Sequence, residues 1–397
     1  MAQALTDPAR IAASAADFTA RRQPDPLTPK SWLGHRAREL RLHLERARKP
    51  TDRRRVVFFP NTAESCGSAN LRAYELARAL EPLGWRATVV PAQLERKQRQ
   101  RILDLERPHI AVMQKGRNPL NWPDYYTTDA KWVFDLDDAD YKTPEQAVQC
   151  EVNCKLAHLV TAGSQNVAAW CKQFNRNVHV VWTGHPMPPT RPSVRSSQRK
   201  VIVAWAQSDS MKYRDEAAIV QRAMIDAAQP TPFTFRLYGV TPATRDEANT
   251  YLQPLGDAGL TCETREFMPN SEFVASLNEV AVGLHVLAPT SHFAEGKSFG
   301  KVLAYLAADV PIVASDLHEN PYFFKHRSNG MLVKTHEQYV DAIRELVRDG
   351  ALRDAIADAG HASFRDELSI QAIAARTDIL FRALIAEPAA TVSRSNP

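Results

Sequence analysis

The sequence predicts an α/β protein built from two doubly wound units, each with a parallel sheet between layers of helices. Residues 55–90 have the pattern of strand, loop, helix and strand, beginning with the apolar run 55–60. A proline-rich stretch at 185–200 then interrupts the pattern, and a new apolar strand pattern begins at 201–205. At 397 residues the chain is long enough for two separate cores.

The composition is that of an ordinary globular protein, with 44% hydrophobic and 24% charged residues. No apolar run reaches the roughly 18 residues that a membrane-spanning helix needs. The first 30 residues lack the apolar core of a secretory signal, so we expect a cytoplasmic protein. The 5 cysteines do not suggest a disulfide framework in so long a chain.

The basic charge is concentrated at the start of the chain. The net charge is +5, but residues 1–55 carry 13 Lys or Arg against 6 Asp or Glu, so the remainder is slightly acidic. We therefore predict a basic, partly helical extension over residues 1–54. No nucleic-acid motif accompanies it, and the body of the chain is not basic, so nucleic acid is not an expected partner.

A helix from about Ser31 to Arg48 would place Leu33, Ala37, Leu40 and Leu44 on one face, with arginines on the other. Two interpretations remain open. The helix either packs against the following domain, or it lies on an anionic lipid surface, with Trp32 near the interface. The second interpretation would place the protein peripherally on the inner face of the cell membrane.

An acidic run follows the strand predicted at 131–135, with Asp137 and Asp138 at its centre. Carboxylates at a strand end suit a divalent metal such as Mg²⁺, but they also line clefts and cap helices. We favour cleft lining and predict no metal site.

The stretch 295–333 carries the strongest functional signal. Small and basic residues precede a helix predicted at 299–308, and a buried strand is predicted at 310–314. A helix N-terminus behind a basic loop suits a phosphate group, because free N–H groups and the helix dipole favour negative charge there. Lys297 and Lys301 lie four residues apart and would reach the same side of such an anion.

Residues 301–315 read K-V-L-A-Y-L-A-A-D-V-P-I-V-A-S, and residues 329–333 read N-G-M-L-V. This line resembles the K-x-x-E-Y-M-A-x-G-x-P-V-V-A-S and N-G-x-L-V motifs of retaining GT-B glycosyltransferases, the large family that includes sucrose and glycogen synthases. Two positions depart from the motif. Ala304 replaces the glutamate that holds the nucleotide ribose, and Asp309 replaces a glycine.

The resemblance implies the GT-B fold, in which two Rossmann-like domains face a central cleft, here with the N-terminal helical extension added. It implies an acceptor domain at 55–184 completed by a C-terminal helix at about 369–386, a linker at 185–200, and a donor domain at 201–368. The implied activity is metal-independent, retaining transfer of a sugar from a nucleotide sugar to a glycan or lipid-linked acceptor, without a cofactor.

The resemblance also suggests site residues. For catalysis it suggests Lys301 and, after a one-residue shift, Glu295. For donor binding it suggests Gly67, Ser68, Arg72, Ser208, Lys212, Phe267, Met268, Lys297, Ser298, Phe299 and Tyr305, with Arg214 competing with Lys212. For the acceptor or cleft it suggests Asp137, Asp138 and His185.

Two other functions remain open. The first is a GT-B-shaped protein that binds a nucleotide or glycan without transfer, which Ala304 favours. The second is a sugar-nucleotide epimerase, which shares the fold but typically needs several acidic residues and a histidine around the donor.

Overall fold

The computed structural model describes residues 29–47, 53–290, 294–297 and 299–386. The chain divides into two compact units, Met1–Trp182 with Ile373–Pro397, and Thr183–Ala372. None of the described helices combines the length and the apolar character that crossing a bilayer requires.

The first unit contains a six-stranded parallel sheet in the order β2-β1-β3-β4-β5-β6. Its central strands are buried, because helices cover both faces of a parallel sheet. The first of these strands coincides with the apolar run 55–60, and another coincides with the strand predicted at 131–135. The six strands are β1 (Arg54–Phe59), β2 (Trp85–Val89), β3 (Ile110–Gln114), β4 (Lys131–Leu136), β5 (Leu159–Ala162) and β6 (Val178–Val180).

Helices of the first unit begin where the sequence offers capping groups. A capping box between Glu95 and Gln98 starts the helix that follows β2. The Ser164 hydroxyl accepts a hydrogen bond from the backbone N–H of Val167, at 3.2 Å, and starts another. The helices are α1 (Pro29–Ala47), α2 (Gly67–Ala69), α3 (Leu76–Leu80) joined to α2 by a π-helical turn (Asn70–Glu75), α4 (Arg96–Glu106), α5 (Pro144–Leu156) and α6 (Gln165–Cys171).

The second unit contains another six-stranded parallel sheet, in the order β12-β11-β10-β7-β8-β9. Its strands are β7 (Ile202–Ala206), β8 (Thr234–Val240), β9 (Thr261–Glu266), β10 (Val282–His285), β11 (Ile312–Ser315) and β12 (Met331–Val333). Its helices are α7 (Arg214–Ala227), α8 (Arg245–Asp257), α9 (Asn270–Ser276), α10 (Lys301–Ala307), α11 (Asn320–Phe323), α12 (His336–Arg348) and α13 (Gly350–Ser363).

The proline-rich stretch 185–200 lies on the second unit and is hydrogen-bonded to it. The Ser196 hydroxyl donates to the carbonyl of Ala281 at 2.9 Å. The Arg199 guanidinium donates to the carbonyls of Val280 and Ala308, at 2.9 and 3.1 Å. The segment expected to be a linker is therefore fixed to the second unit along its second half.

The last described helix, α14 (Ile370–Ala386), supplies core residues to the first unit. The Trp85 ring meets Phe381 edge to face, with 5.6 Å between ring centroids. Its indole N–H donates to the Asp378 carboxylate at 2.7 Å. A buried tryptophan needs both an apolar neighbour and a partner for its N–H, and α14 provides both.

Candidate functional site

The second sheet has a topological switch point between β7 and β10. The chain proceeds from β7 through β8 to β9 on one side, and from β10 through β11 to β12 on the other. Ligands of open α/β sheets bind outside the carboxyl ends of the strands at such a point. In this unit those carboxyl ends are residues 206–208 and 285–288, and they define the candidate site.

Both predicted lysines lie over aromatic rings of the second unit. The Lys297 ammonium lies 4.0 Å from the ring centroid of Tyr213, in the segment between β7 and α7. The Lys301 ammonium lies 4.8 Å from the centroid of Phe273, on α9. Lys297 precedes α10, which begins at Lys301. Each cation is held over a ring by cation–π attraction.

Lys301 is a half-buried ammonium without a carboxylate partner among the described residues. Burial lowers its pKa, since removal from water disfavours the charged form. A partly desolvated charge of this kind gains the most from an anionic ligand, which would restore the lost electrostatic stabilisation.

His285 ends β10 and is buried at the same edge. Burial, reinforced by the nearby charge of Lys297, lowers its pKa to about 3, while a hydrogen bond with Asn320 acts in the opposite direction. The imidazole is therefore neutral at pH 7 and suits a hydrogen bond to an uncharged polar group.

The end of β8 approaches the loop after β7 closely. Gly239 has a φ of +85°, and a Cβ at this position would lie 2.1 Å from the carbonyl oxygen of Gln207. Only glycine combines that conformation with that contact. The approach fixes the start of the loop that carries exposed Ser208. Lys212, further along, is exposed and forms an ion pair with Asp209 at 3.0 Å.

The prediction that the side chains of Tyr305 and Phe299 contact a donor is wrong, because both are buried. The Tyr305 hydroxyl donates to the carbonyl of Ala204 at 3.2 Å, and its ring lies directly over Gly283. Phe299 is fully buried and packs on Phe323, with 5.2 Å between ring centroids. Both rings belong to the core of the second unit.

The two departures from the family motif have different structural consequences. Ala304 is buried on α10, so this position offers no carboxylate. Asp309 has a φ of +52°, the left-handed conformation that glycine adopts most easily and aspartate tolerates. Its carboxylate accepts a hydrogen bond from Nε of Arg191 at 2.7 Å, and lies 2.7 Å from Nδ1 of His361. The backbone geometry of the glycine is thus kept by a residue that also forms tertiary contacts.

The remaining predicted residues of this unit are dispersed. Phe267 is exposed and Met268 is half-buried, both after β9, and Glu295 is half-buried. His185 is buried; its Nδ1–H donates to the carbonyl of Pro186 at 2.7 Å, and Nε2 accepts from the Asn270 amide at 2.9 Å. Ser298 lies outside the described residues.

The first sheet has its switch point between β1 and β3. Gln114, at the end of β3, holds the segment that follows β1. Its side-chain oxygen accepts from the backbone N–H of Asn61 at 3.1 Å, and its amide donates to the carbonyl of Ser68 at 3.0 Å. Gly67, which begins α2, is exposed beside it.

Arg72 has a structural role that the sequence did not reveal. Its Nε donates to the Asp135 carboxylate at 2.8 Å, and Nη1 donates to the carbonyl of Val181 at 3.0 Å. Thr161 donates to the same carboxylate at 2.6 Å. Burial opposes the charged guanidinium, but Asp135 outweighs it and raises the pKa of Arg72. The Arg72 guanidinium is buried in the core, so the prediction that it binds the donor is wrong.

The acidic run is neutralised by two cations that sequence reasoning missed, Lys115 and Arg117. The Lys115 ammonium contacts Asp138 and lies 3.3 Å from Asp137. Nε of Arg117 donates to Asp140 at 3.0 Å. Burial raises the pKa of Asp137 to about 6, although Lys115 opposes this shift. Within the described ranges, no cluster of three or more His, Cys, Asp or Glu side chains is arranged for a metal ion.

Residues 214–377, most of the second unit, match the family model described as Glycosyl transferase-like. Sucrose-phosphate synthase from Thermosynechococcus elongatus has a similar structure, with a TM-score of 0.63 at 15% identity over 84% of this chain and 100% of that one. The chain has the GT-B glycosyltransferase fold. No curated protein matches the sequence.

Two further solved structures have a similar fold. A glycosyltransferase from Rickettsia africae gives a TM-score of 0.61 at 10% identity, over 85% of this chain and 100% of that one. HepE from Anabaena, in complex with UDP and glucose, gives 0.58 at 14% identity, over 83% of this chain and 100% of that one. At these identities the likeness establishes the fold.

Proposed function

We propose that the protein is a metal-independent, retaining glycosyltransferase that moves a sugar from a nucleotide sugar to a glycan or lipid-linked acceptor. The observation that carries the proposal is the half-buried Lys301 ammonium over the Phe273 ring, without a carboxylate partner among the described residues. The family match over 214–377 includes this lysine.

The proposed chemistry requires stabilisation of a nucleoside diphosphate leaving group. Its negative charge grows as the bond to the sugar breaks, and fixed cations stabilise that charge most effectively in a partly dehydrated site. Lys301 and Lys297 take this role. The neutral His285 is suited to a sugar hydroxyl, and Glu295 is proposed to bind another.

The other contacts follow the loops around the same edge. The loop with Ser208 and the segment with Phe267 and Met268 are proposed to contact the nucleotide. The first unit is proposed to take the acceptor near the acidic run. Retention of configuration rests on the family resemblance alone.

Ala304 supports a second candidate function, nucleotide or glycan binding without transfer. The family glutamate at this position binds the ribose, and a buried alanine cannot replace that hydrogen bond. Loss of one such bond weakens donor binding without removing the cations that stabilise the leaving group.

The test is incubation of the full chain with a panel of UDP-, GDP- and ADP-sugars, with chromatographic detection of free sugar, nucleoside diphosphate and isomerised donor. Release of nucleoside diphosphate that is lost in Lys301→Met supports transfer. Binding without turnover supports the second function, and isomerised donor would indicate an epimerase. Absence of binding to every donor would overturn the proposal.

A further inference from the structure

The N-terminal helix α1 (Pro29–Ala47) is held to the first unit by polar contacts on one side. Glu39 is buried there and accepts hydrogen bonds from Gln98 at 2.9 Å and from Arg101 at 2.7 Å, both on α4. Leu42 is buried on the same side. An ion pair and one leucine therefore fix the orientation of this helix.

The opposite side of α1 carries an exposed apolar stripe, which we define as Leu33, Ala37, Leu40 and Leu44. The three leucines are 62%, 60% and 55% exposed. At about 100° per residue the four positions fall within about 60° of one another and extend about 16 Å along the helix. Leu42 and Glu39 lie roughly on the opposite side of the helical wheel. The stripe therefore faces away from the unit that holds the helix.

Cations border the stripe on both edges. Arg36 and Arg41 lie about 70° to either side of its centre. The Arg41 side chain is 81% exposed and pairs with Glu45, while Arg36 pairs with the buried Glu39. Residues 29–47 carry 5 Lys or Arg against 2 Asp or Glu, within the strongly basic first 55 residues.

We propose that this stripe is a docking surface for an anionic lipid bilayer. A helix that lies in a membrane interface combines exposed apolar side chains on one face with basic residues at the edges, and its affinity adds apolar burial to attraction by anionic headgroups. The charge complementarity selects a lipid surface of this kind over a neutral apolar partner. The inference goes beyond glycosyl transfer and does not depend on it.

The test is sedimentation of the full chain with vesicles of phosphatidylcholine alone or mixed with phosphatidylglycerol. The protein should bind the mixed vesicles. Its binding should weaken as salt is added, since the Debye length falls from about 8 Å at physiological ionic strength to about 3 Å at 1 M. Burial of a single leucine changes a partition coefficient by about tenfold. The pair Leu40→Glu and Leu44→Glu should therefore lower binding by about a hundredfold or more.

Ile379→Glu is the matched control, because Ile379 is an exposed aliphatic residue on α14 and lies outside the stripe. It should bind vesicles as the unchanged protein does. Circular dichroism and UDP affinity should be the same for all variants, which separates membrane binding from folding and from donor binding.

Three results would overturn the inference. The first is absence of binding to the mixed vesicles, and the second is equal binding of neutral and mixed vesicles. The third is a dimer in sedimentation equilibrium that dissociates in the Leu40/Leu44 variant, which would assign the stripe to a second copy of this chain.

Discussion

Replacement of Lys301 by methionine should weaken binding of nucleoside diphosphates without destabilising the fold. Lys301 is half-buried over Phe273, and burial lowers its pKa. The unfolded chain therefore holds this proton more tightly than the folded chain does. The free energy of unfolding therefore increases as the pH rises from the pKa of Lys301 in the folded chain towards its higher pKa in the unfolded chain. Below that range the charge disfavours folding, so methionine, which fills similar space without charge, should leave the melting temperature unchanged or higher.

The expected loss of affinity follows from the contact that the cation would make. A hydrogen bond to a charged group contributes about 1.5–3 kcal/mol, which corresponds to a rise in Kd of about 10- to 150-fold. Isothermal titration calorimetry with UDP and with GDP, at one fixed ionic strength, measures this change. Thermal unfolding of the same samples measures stability.

Lys334→Met provides the matched control, because Lys334 is an exposed lysine of the same unit outside the proposed site. It should leave the Kd within a factor of about two. The reasoning about Lys301 would be refuted by an equally small effect of Lys301→Met. A clear fall in its melting temperature would refute the claim that the lysine is held at an electrostatic cost.

Three further substitutions test the contacts that surround the strand ends of the two sheets. Arg72→Met leaves the buried Asp135 without its cation and should cost about 3–5 kcal/mol in urea unfolding; a loss below about 1 kcal/mol would contradict the buried pair. Gly239→Ala should cost at least about 2 kcal/mol in the same assay, because its Cβ would overlap the Gln207 carbonyl at a positive φ; an unchanged midpoint would contradict that contact. Asp137 has a raised pKa of about 6, so its stabilising proton is lost as the pH rises through that value. Asp137→Asn should therefore gain in melting temperature relative to the unchanged protein as the pH rises from about 4 to about 6, and parallel pH profiles would count against it.

The sequence predicted the two sheets well because buried parallel strands are continuous apolar runs. Strand β9 was not predicted, because no apolar run marks it. It is an edge strand with polar, partly exposed residues, so its pattern resembles a loop.

The candidate site was less predictable because a motif gives residue identity and not side-chain direction. Tyr305 occupies a family position, yet its ring faces the core. Lys115 and Arg117 could not be assigned to the acidic run from local spacing. That assignment requires the pairing of β3 with β4, which places Gln114 opposite Asp135. Lys115, the next residue, then lies close to Asp137 and Asp138.

The apolar periodicity of α1 predicted which residues share a face. It did not decide whether that face contacts the following domain or a lipid surface. The body of the first unit binds the other side, through the ion pair of Glu39 with Arg101. Apolar periodicity alone cannot anticipate a helix that is anchored by a buried carboxylate.

The aspartate at position 309 has a consequence for sequence variation. Arg191 contacts both Asp309 and Asp358, so glycine at 309 would leave this arginine with a single acidic neighbour. Among close relatives, positions 191, 309 and 361 should therefore change together, and a sequence profile that requires glycine at 309 would miss chains in which aspartate adopts the same positive φ.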